Sequence, residues 1–266
     1  MAELSTRIQG PVAVIGDVHG QADKLLTILD KLRTLPDYEQ RWIVFIGDFV
    51  DRGPDPKAAL DIFCDLITSH PRTTAIAGNH EYAMAASLGL LPTPEYSTYD
   101  KDWLNHYLSE TTFESYGAQF GDLDELRSKM PEHHKQLISI LPWCVEHPKY
   151  LFVHAGLDPN MPFEMQLRIL RAKDLSLNRP QWLCSKSYVT SNVPMDCPVT
   201  VVAGHVKVPE VDFQNKKILI DTTGGTEGDL SCVLLPENQV ITSGLNPSRG
   251  PVGVRPEKKS WWKKLL

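Results

Sequence analysis

An α/β fold with two β-sheets is what this sequence predicts, and three observations carry the prediction. Three short apolar runs, VAVIG from Val12, WIVFIG from Trp42 and TTAIAG from Thr73, have the length and β-branched content of buried strands. Apolar residues between those runs recur at helical spacing. Late in the chain, β-rich runs follow one another with turn residues between them: YLFVHAG, CPVTVVAGHV, KKILIDTTGG, LSCVLL and QVITSG.

The elements can be justified in order. Leu25, Ile28, Leu29 and Leu32 recur at i, i+3, i+4 and i+7, and Ala59, Ile62, Phe63 and Leu66 do the same, so an amphipathic helix follows each of the first two strands. The third strand ends in GNHE, with Tyr82 to Leu90 continuing as a helix. This βαβαβ start predicts a right-handed parallel arrangement whose functional edge is the carboxyl end of the strands. From Leu91 to Pro142 the chain is polar and aromatic, with a break at Pro92 and Pro94 and apolar anchors at Trp103, Tyr107, Phe113 and Tyr116. This mainly helical insertion, about 91–142, is expected beside the carboxyl edge as a cap; the alternative is a packing appendage that touches no ligand. YLFVHAG and CPVTVVAGHV then restore strands ending at His154 and His205. The last three runs read as strands closing a second sheet, with Asp221 and the Gly224-Gly225 pair at one strand end as turn and support.

Composition agrees with one domain over 1–245. The 266 residues, 42% of them hydrophobic, suffice for one sizeable core. Neither a charged-then-apolar leader nor a bilayer-length apolar run is present, so a soluble, cytoplasmic protein is expected. The net charge of −6 argues against a protein that coats nucleic acid, which needs clustered Lys and Arg. Cys64, Cys144, Cys184, Cys197 and Cys232 are scattered without CxxC spacing and read as reduced thiols, not as a disulfide frame or zinc site. The tail 246–266 begins Pro- and Gly-rich and ends KKSWWKKLL. It reads first as a loosely packed terminus and second as a segment that touches an anionic membrane or a partner.

The polar residues at the strand ends carry the chemistry. GDVHG supplies Asp17 and His19, GDFVDRGP supplies Asp48, GNHE supplies Asn79, and His154 and His205 follow downstream. These six oxygen and imidazole donors, with no thiolate, suit two divalent ions of the Mn²⁺, Fe²⁺ or Zn²⁺ class. A shared carboxylate, most naturally Asp48, can bridge two cations roughly 3.5–4 Å apart, the spacing used for in-line displacement at phosphorus. The remaining histidines, His70, His106, His133, His134 and His147, lie in polar or Pro-flanked stretches and are expected to face solvent.

At GDVHG, GDFVDRGP and GNHE, in that order, the chain resembles the phosphoprotein phosphatase (PPP) family of calcineurin-like metallophosphatases, its compact bacterial members more than the eukaryotic catalytic subunits. The matching stretch runs from about Val12 to about Gly225. The resemblance implies two mixed β-sheets packed as a sandwich between helices, with a dimetal site at the carboxyl edge. It places Asp17, His19 and Asp48 on one metal, manganese foremost, and Asp48, Asn79, His154 and His205 on the other. It makes His80 the general acid, oriented and kept protonated by Asp51, and Arg52 the phosphate grip. Water shared by two dications, its pKa lowered toward neutrality, would attack phosphorus directly.

Relatives also carry a second phosphate-binding arginine, for which Arg171, Arg179 and Lys186 compete here. The expected substrate is a phosphorylated protein or a small phosphoester. The first alternative is hydrolysis of a dinucleoside polyphosphate, although the resembling diadenosine tetraphosphatases tend to carry GNHD and a different residue in place of Asp51. A catalytically silent phosphate- or partner-binding module is the second. The tyrosine-bearing loop and C-terminal signature of the eukaryotic enzymes have no counterpart.

Overall fold

The computed structural model describes residues 4–94, 98–177 and 179–244; the tail 246–266 lies outside the described residues. The first half alternates strand and helix as expected: β1 (Val12–Ile15), α1 (Ala22–Arg33), β2 (Trp42–Phe45), α2 (Pro56–Ser69), β3 (Thr73–Ala75) and α3 (Asn79–Ser87). The insertion folds as four short helices, α4 (Tyr99–His106), α5 (Glu110–Tyr116), α6 (Leu123–Lys129) and α7 (Glu132–Ile140). Next come β4 (Cys144–Glu146), β5 (Tyr150–Val153), α8 (Phe163–Ala172), α9 (Gln181–Cys184), α10 (Lys186–Thr190) and β6 (Thr200–Ala203). The last four strands are β7 (Asp212–Gln214), β8 (Lys217–Leu219), β9 (Ser231–Leu235) and β10 (Gln239–Thr242).

Two five-stranded sheets result, ordered β10-β9-β1-β2-β3 and β4-β5-β6-β8-β7. Each contains three adjacent parallel strands, β1-β2-β3 in one and β5-β6-β8 in the other; both antiparallel strands lie on one side of the trio in the first sheet and one lies on each side in the second. Here the structure corrects the sequence reading, which put LSCVLL and QVITSG in the second sheet. Strand β9 pairs antiparallel with β1, Val12 opposite Leu235, and β10 extends the same first sheet. Strands β4 and β7, too short to stand out in the sequence, complete the second.

Strand alternation assigns every apolar side chain a layer. Val12, Val14, Val44 and Val233 of the first sheet share one buried cluster with Val145, Phe152, Val202 and Ile218 of the second, which is the seam of the sandwich. The intervening residues Ala13, Ile15, Ile43 and Phe45 turn the other way onto Leu25, Leu29 and Phe63 of α1 and α2. Across the second sheet, Leu151, Val153 and Val201 meet Leu167, Leu170 and Trp182. The layers are therefore helix, sheet, sheet, helix, and all the parallel strands of both sheets present carboxyl ends from which polar side chains can converge.

Two histidines expected in solvent are buried instead. His70 caps α2 and bridges the Thr73 hydroxyl and the Tyr38 carbonyl, each at 3.1 Å. His134 lies on the inner face of α7, 2.8 Å from the Tyr116 hydroxyl. Their polar neighbours in sequence concealed a helix face that points inward.

Candidate active site

Asp17, His19, Asp48, Asn79, His154 and His205 follow the carboxyl ends of β1, β2, β3, β5 and β6, and the fold brings all six to one place. Asp48 sits at its centre. Its Oδ2 lies 3.3 Å from His154 Nε2, 3.4 Å from His19 Nε2 and 3.9 Å from His80 Nε2. Donor atoms of His19, Asp48 and His80 lie within 4.8 Å of one another, as do those of Asp48, His154 and His205, so one carboxylate belongs to both clusters. His80 thus stands in the first cluster beside the residues the resemblance placed there. Asp17 accepts the His205 N–H through Oδ2 at 2.9 Å, and its buried Oδ1 has no hydrogen-bond partner.

The imidazoles are oriented from behind. His19 Nδ1 lies 2.9 Å from the Val50 carbonyl, His154 Nδ1 2.8 Å from that of Ile46, and His205 Nε2 3.1 Å from that of Cys184. A carbonyl only accepts, so each of these nitrogens carries the N–H and the opposite nitrogen faces the centre. Arg52 Nη1, which can only donate, lies 3.1 Å from His19 Nε2 and confirms a lone pair there. His205 Nδ1 faces the Asn79 Oδ1 at 2.8 Å, and His154 Nε2 is 3.0 Å from the same oxygen. Burial, with the charge of His154, pushes His205 down to about 3, so its Nδ1 and the amide oxygen are two acceptors in contact. Such a pair needs a cation or proton between them. Together with the unpartnered Asp17 Oδ1, this donor set fits divalent ions.

Charge at the centre is polarised accordingly. Burial alone would raise Asp48, but His154 and His80, with His19, outweigh it and hold the carboxyl well below its ordinary value. Burial likewise opposes the charge on His154, yet the charge and hydrogen bond of Asp48 push that imidazole up to about 10. Burial, reinforced by Asp221, pushes Asp17 well up.

The backbone that delivers these groups is strained. His19, Asp48, Asp51, Arg52 and His205 all have positive φ, between 44° and 68°, a region non-glycine residues rarely occupy. Gly47, at φ 94°, makes the turn into Asp48. Gly78 and Gly204 serve a different need, since a Cβ on either would lie 2.0 Å from Asp48 Oδ1 or Asp17 Oδ1. The glycine beside each of these carboxylates makes room for it.

Glu81, which sequence reasoning passed over, holds the Asp48 turn in place. Its buried carboxylate accepts the N–H groups of Asp48 and Phe49 at 2.7 Å, Gly78 at 3.0 Å and Val50 at 3.2 Å. Burial, with the charge of Asp48, pushes this carboxyl up to about 7, and the N–H donors pull the other way. Its only sequence signal was a glutamate in the first turn of the helix after GN. Glu81→Gln puts an NH₂ against some of those donors and is expected to cost roughly 2–4 kcal/mol, the scale of one or two buried groups left unpaired. Denaturant unfolding checks this; a variant as stable as the parent would show that the carboxylate is not what holds the turn.

Beside Asp48, His80 Nδ1 is 2.7 Å from Asp51 Oδ2, and its buried Nε2, with no hydrogen-bond partner, faces the cluster. The insertion takes part directly. Trp103 Nε1 donates to Asp51 Oδ2 at 2.8 Å and Thr112 Oγ1 to Oδ1 at 2.6 Å, while the Tyr107 ring stands edge-on to His80 at 4.8 Å. Three residues of the insertion thus touch the Asp51–His80 pair. The expectation that Asp51 keeps His80 protonated needs restating: burial pushes His80 down to about 3 and Asp51 up to about 7, Thr112 and Trp103 opposing the latter. With Asp51 protonated and donating to Nδ1, the neutral His80 carries its N–H on Nε2.

Of the three competing cations, Arg171 is bound to Glu146 through two bonds of 2.8 and 2.6 Å. Arg179 is exposed and donates its backbone N–H to the Tyr99 hydroxyl at 2.6 Å, and both it and Lys186 remain candidates. Asp221 accepts the Gly224 N–H at 2.7 Å, and the Gly224 carbonyl accepts from Arg52 at 3.1 Å, so that strand end supports the guanidinium.

Comparison with known proteins agrees with the geometry. The calcineurin-like phosphoesterase family model matches residues 10–233. Serine/threonine-protein phosphatase rdgC of Drosophila melanogaster is 27% identical over 189 residues, covering 68% of this chain and 24% of that protein. Serine/threonine-protein phosphatase SIT4 of Candida albicans is 31% identical over 171 residues, 63% of this chain and 46% of that one. The chain thus spans between a quarter and a half of these relatives' lengths. Among solved structures, a putative diadenosine tetraphosphatase superposes with a TM-score of 0.58 at 19% identity, covering 90% of this chain and 97% of that one. The cold-active protein-tyrosine phosphatase of a psychrophilic Shewanella gives 0.52 at 18% identity, covering 90% and 80%. At such identities these two show the fold. With the family model spanning most of the chain and its donor residues gathered around Asp48, the protein belongs to the calcineurin-like phosphoesterase family.

Proposed function

We propose that the protein is a dimetal-dependent phosphomonoester hydrolase that acts on phosphorylated proteins. The observation that carries this reading is one carboxylate, Asp48, shared by two imidazole clusters, with the Asp51–His80 pair aimed at the same point. Asp17, His19 and Asp48 would hold one ion and Asp48, Asn79, His154 and His205 the other. Manganese suits these oxygen and nitrogen donors, as do Fe²⁺ and Zn²⁺. When bound, such a pair lowers the pKa of water toward neutrality and offsets phosphate charge.

The chain's own residues do the rest. Arg52 binds two phosphoryl oxygens through its planar fork, Arg179 or Lys186 adds a second cation, and His80 passes a proton from Nε2 to the leaving oxygen. Asp51, held by Trp103 and Thr112, fixes the ring that does so. The relatives named as serine/threonine phosphatases support a phosphoprotein substrate, and the free cysteines fit a reducing cytoplasm. Initial rates with Mn²⁺ on phosphoserine, phosphothreonine and phosphotyrosine peptides, a dinucleoside polyphosphate and an aryl phosphate test the reading. A dinucleoside polyphosphate at the head of that ranking would replace it.

Arg52→Lys keeps the charge but loses the fork. It is expected to lower kcat/KM roughly 10- to 100-fold, about 1.4–2.8 kcal/mol for one lost charge-assisted bond, and to weaken inhibition by inorganic phosphate at unchanged metal content. Parental values of both for Arg52→Lys and Arg52→Ala would move the phosphate grip to Arg179 or Lys186, Arg171 being held by Glu146.

A further inference from the structure

Outside the Asp48 centre, α2 and α7 bring together a donor set of different chemistry. Cys64 on α2 and His133 and His134 on α7 place a thiol and two imidazole nitrogens within 4.8 Å of one another. Asp61, three residues before Cys64 on the same helix, has Oδ1 3.0 Å from His134 Nε2. This buried nitrogen has no well-aligned hydrogen bond, and the other oxygen of Asp61 pairs with Lys57 at 2.6 Å. The other ring nitrogen is engaged by the Tyr116 hydroxyl at 2.8 Å, which orients His134 from behind as the carbonyls orient the histidines of the active site.

Leaving a buried polar atom poorly paired is costly, and a Lewis-acidic ion held by Cys64, His133 and His134 would satisfy it, with Asp61 beside His134. A thiolate and two imidazoles, with water in the fourth position, make a set suited to Zn²⁺ and to tetrahedral Co²⁺. The Asp48 centre, with no thiolate among its donors, has no such selectivity. A groove lined by Cys64, Thr68, His133, Leu137 and Ile140 gives the cluster a path to solvent. The ligands come from helices some seventy residues apart, which is why cysteine spacing alone pointed away from zinc.

We propose that Cys64, His133 and His134 form a third metal site, selective for a thiophilic divalent ion such as Zn²⁺, that ties the last helix of the insertion to α2. The same insertion supplies Trp103 and Thr112 to Asp51, and α2 begins four residues after Arg52, so an ion here braces both sides of the active site. Its occupancy does not depend on the proposed reaction.

Titration of metal-free protein with Co²⁺ tests this, because thiolate-to-cobalt charge transfer absorbs in the near ultraviolet while oxygen and nitrogen ligation does not. The parent should show that band, and about three cobalt ions per chain at saturation. Cys64→Ser should abolish the band, and Cys184→Ser, which removes the thiol near His205, should retain it. Exposed His133→Ala, a substitution that leaves the core untouched, should require at least roughly tenfold more Co²⁺ to develop the band. No thiolate band in the parent, or a band that survives Cys64→Ser or is unmoved by His133→Ala, would overturn the site. Should Cys64→Ser fail to fold, the His133→Ala titration decides alone.

Discussion

Asp48→Asn is expected to bring metal content below two ions per chain and to lower kcat/KM by about three decades while the fold survives. The size follows from position. The Asp48 carboxylate is the one donor common to both clusters, with three imidazole nitrogens between 3.3 and 3.9 Å from its Oδ2. Asparagine keeps an oxygen to accept the His80 N–H, which Asp48 Oδ1 accepts at 3.1 Å, but presents a neutral amide where the negative charge stood. Losing the several kcal/mol of charge stabilisation that a bridged ion pair supplies, about 4 kcal/mol, corresponds to roughly three decades. Elemental analysis, circular dichroism and initial rates on one preparation check all three parts. Two metals per chain in an active Asp48→Asn protein would remove Asp48 from the bridging position.

What could be read from the sequence, and what could not, divides along a physical line. Asp17, Asp48, Asn79, His154 and His205 were legible because each lies at or just beyond the end of an apolar run, and a strand of four residues has a definite end. The sheet to which LSCVLL and QVITSG belong was not legible, because nothing local in an antiparallel strand names its partner. Pairing of β9 with β1 joins residues more than two hundred positions apart, Val12 with Leu235. Glu81 escaped notice for a related reason. It acts on backbone N–H groups, which every residue has, so no side-chain motif announces it. Trp103 and Thr112 read as an anchor and an ordinary polar residue until the insertion folds back on Asp51. The buried faces of His70 and His134 depend likewise on what packs against them. The competition among Arg171, Arg179 and Lys186 narrowed only when Glu146 was seen to hold Arg171.

His80→Asn separates proton donation from metal binding, and its effect should depend on the substrate. His80 Nε2 points at the cluster, but Nδ1 is spent on Asp51, and the donor sets proposed for the two ions do not need His80. Metal content should therefore stay near the parental value. An alkyl phosphate, whose leaving alkoxide is strongly basic, requires a proton as the bond breaks; an aryl phosphate with an acidic phenol requires little. Loss of a general acid typically costs 10²- to 10⁴-fold, and a loss of about that size is expected on alkyl substrates, including phosphoserine peptides, with a much smaller one on activated aryl phosphates. Trp103→Phe, which removes one of the donors to Asp51 but keeps an aromatic side chain, should show the same ordering in weaker form, because Asp51 would orient the imidazole less firmly. Equal losses on both substrate classes at parental metal content would mean that His80 supports the site without delivering the proton, and the leaving group would then have to take its proton from solvent.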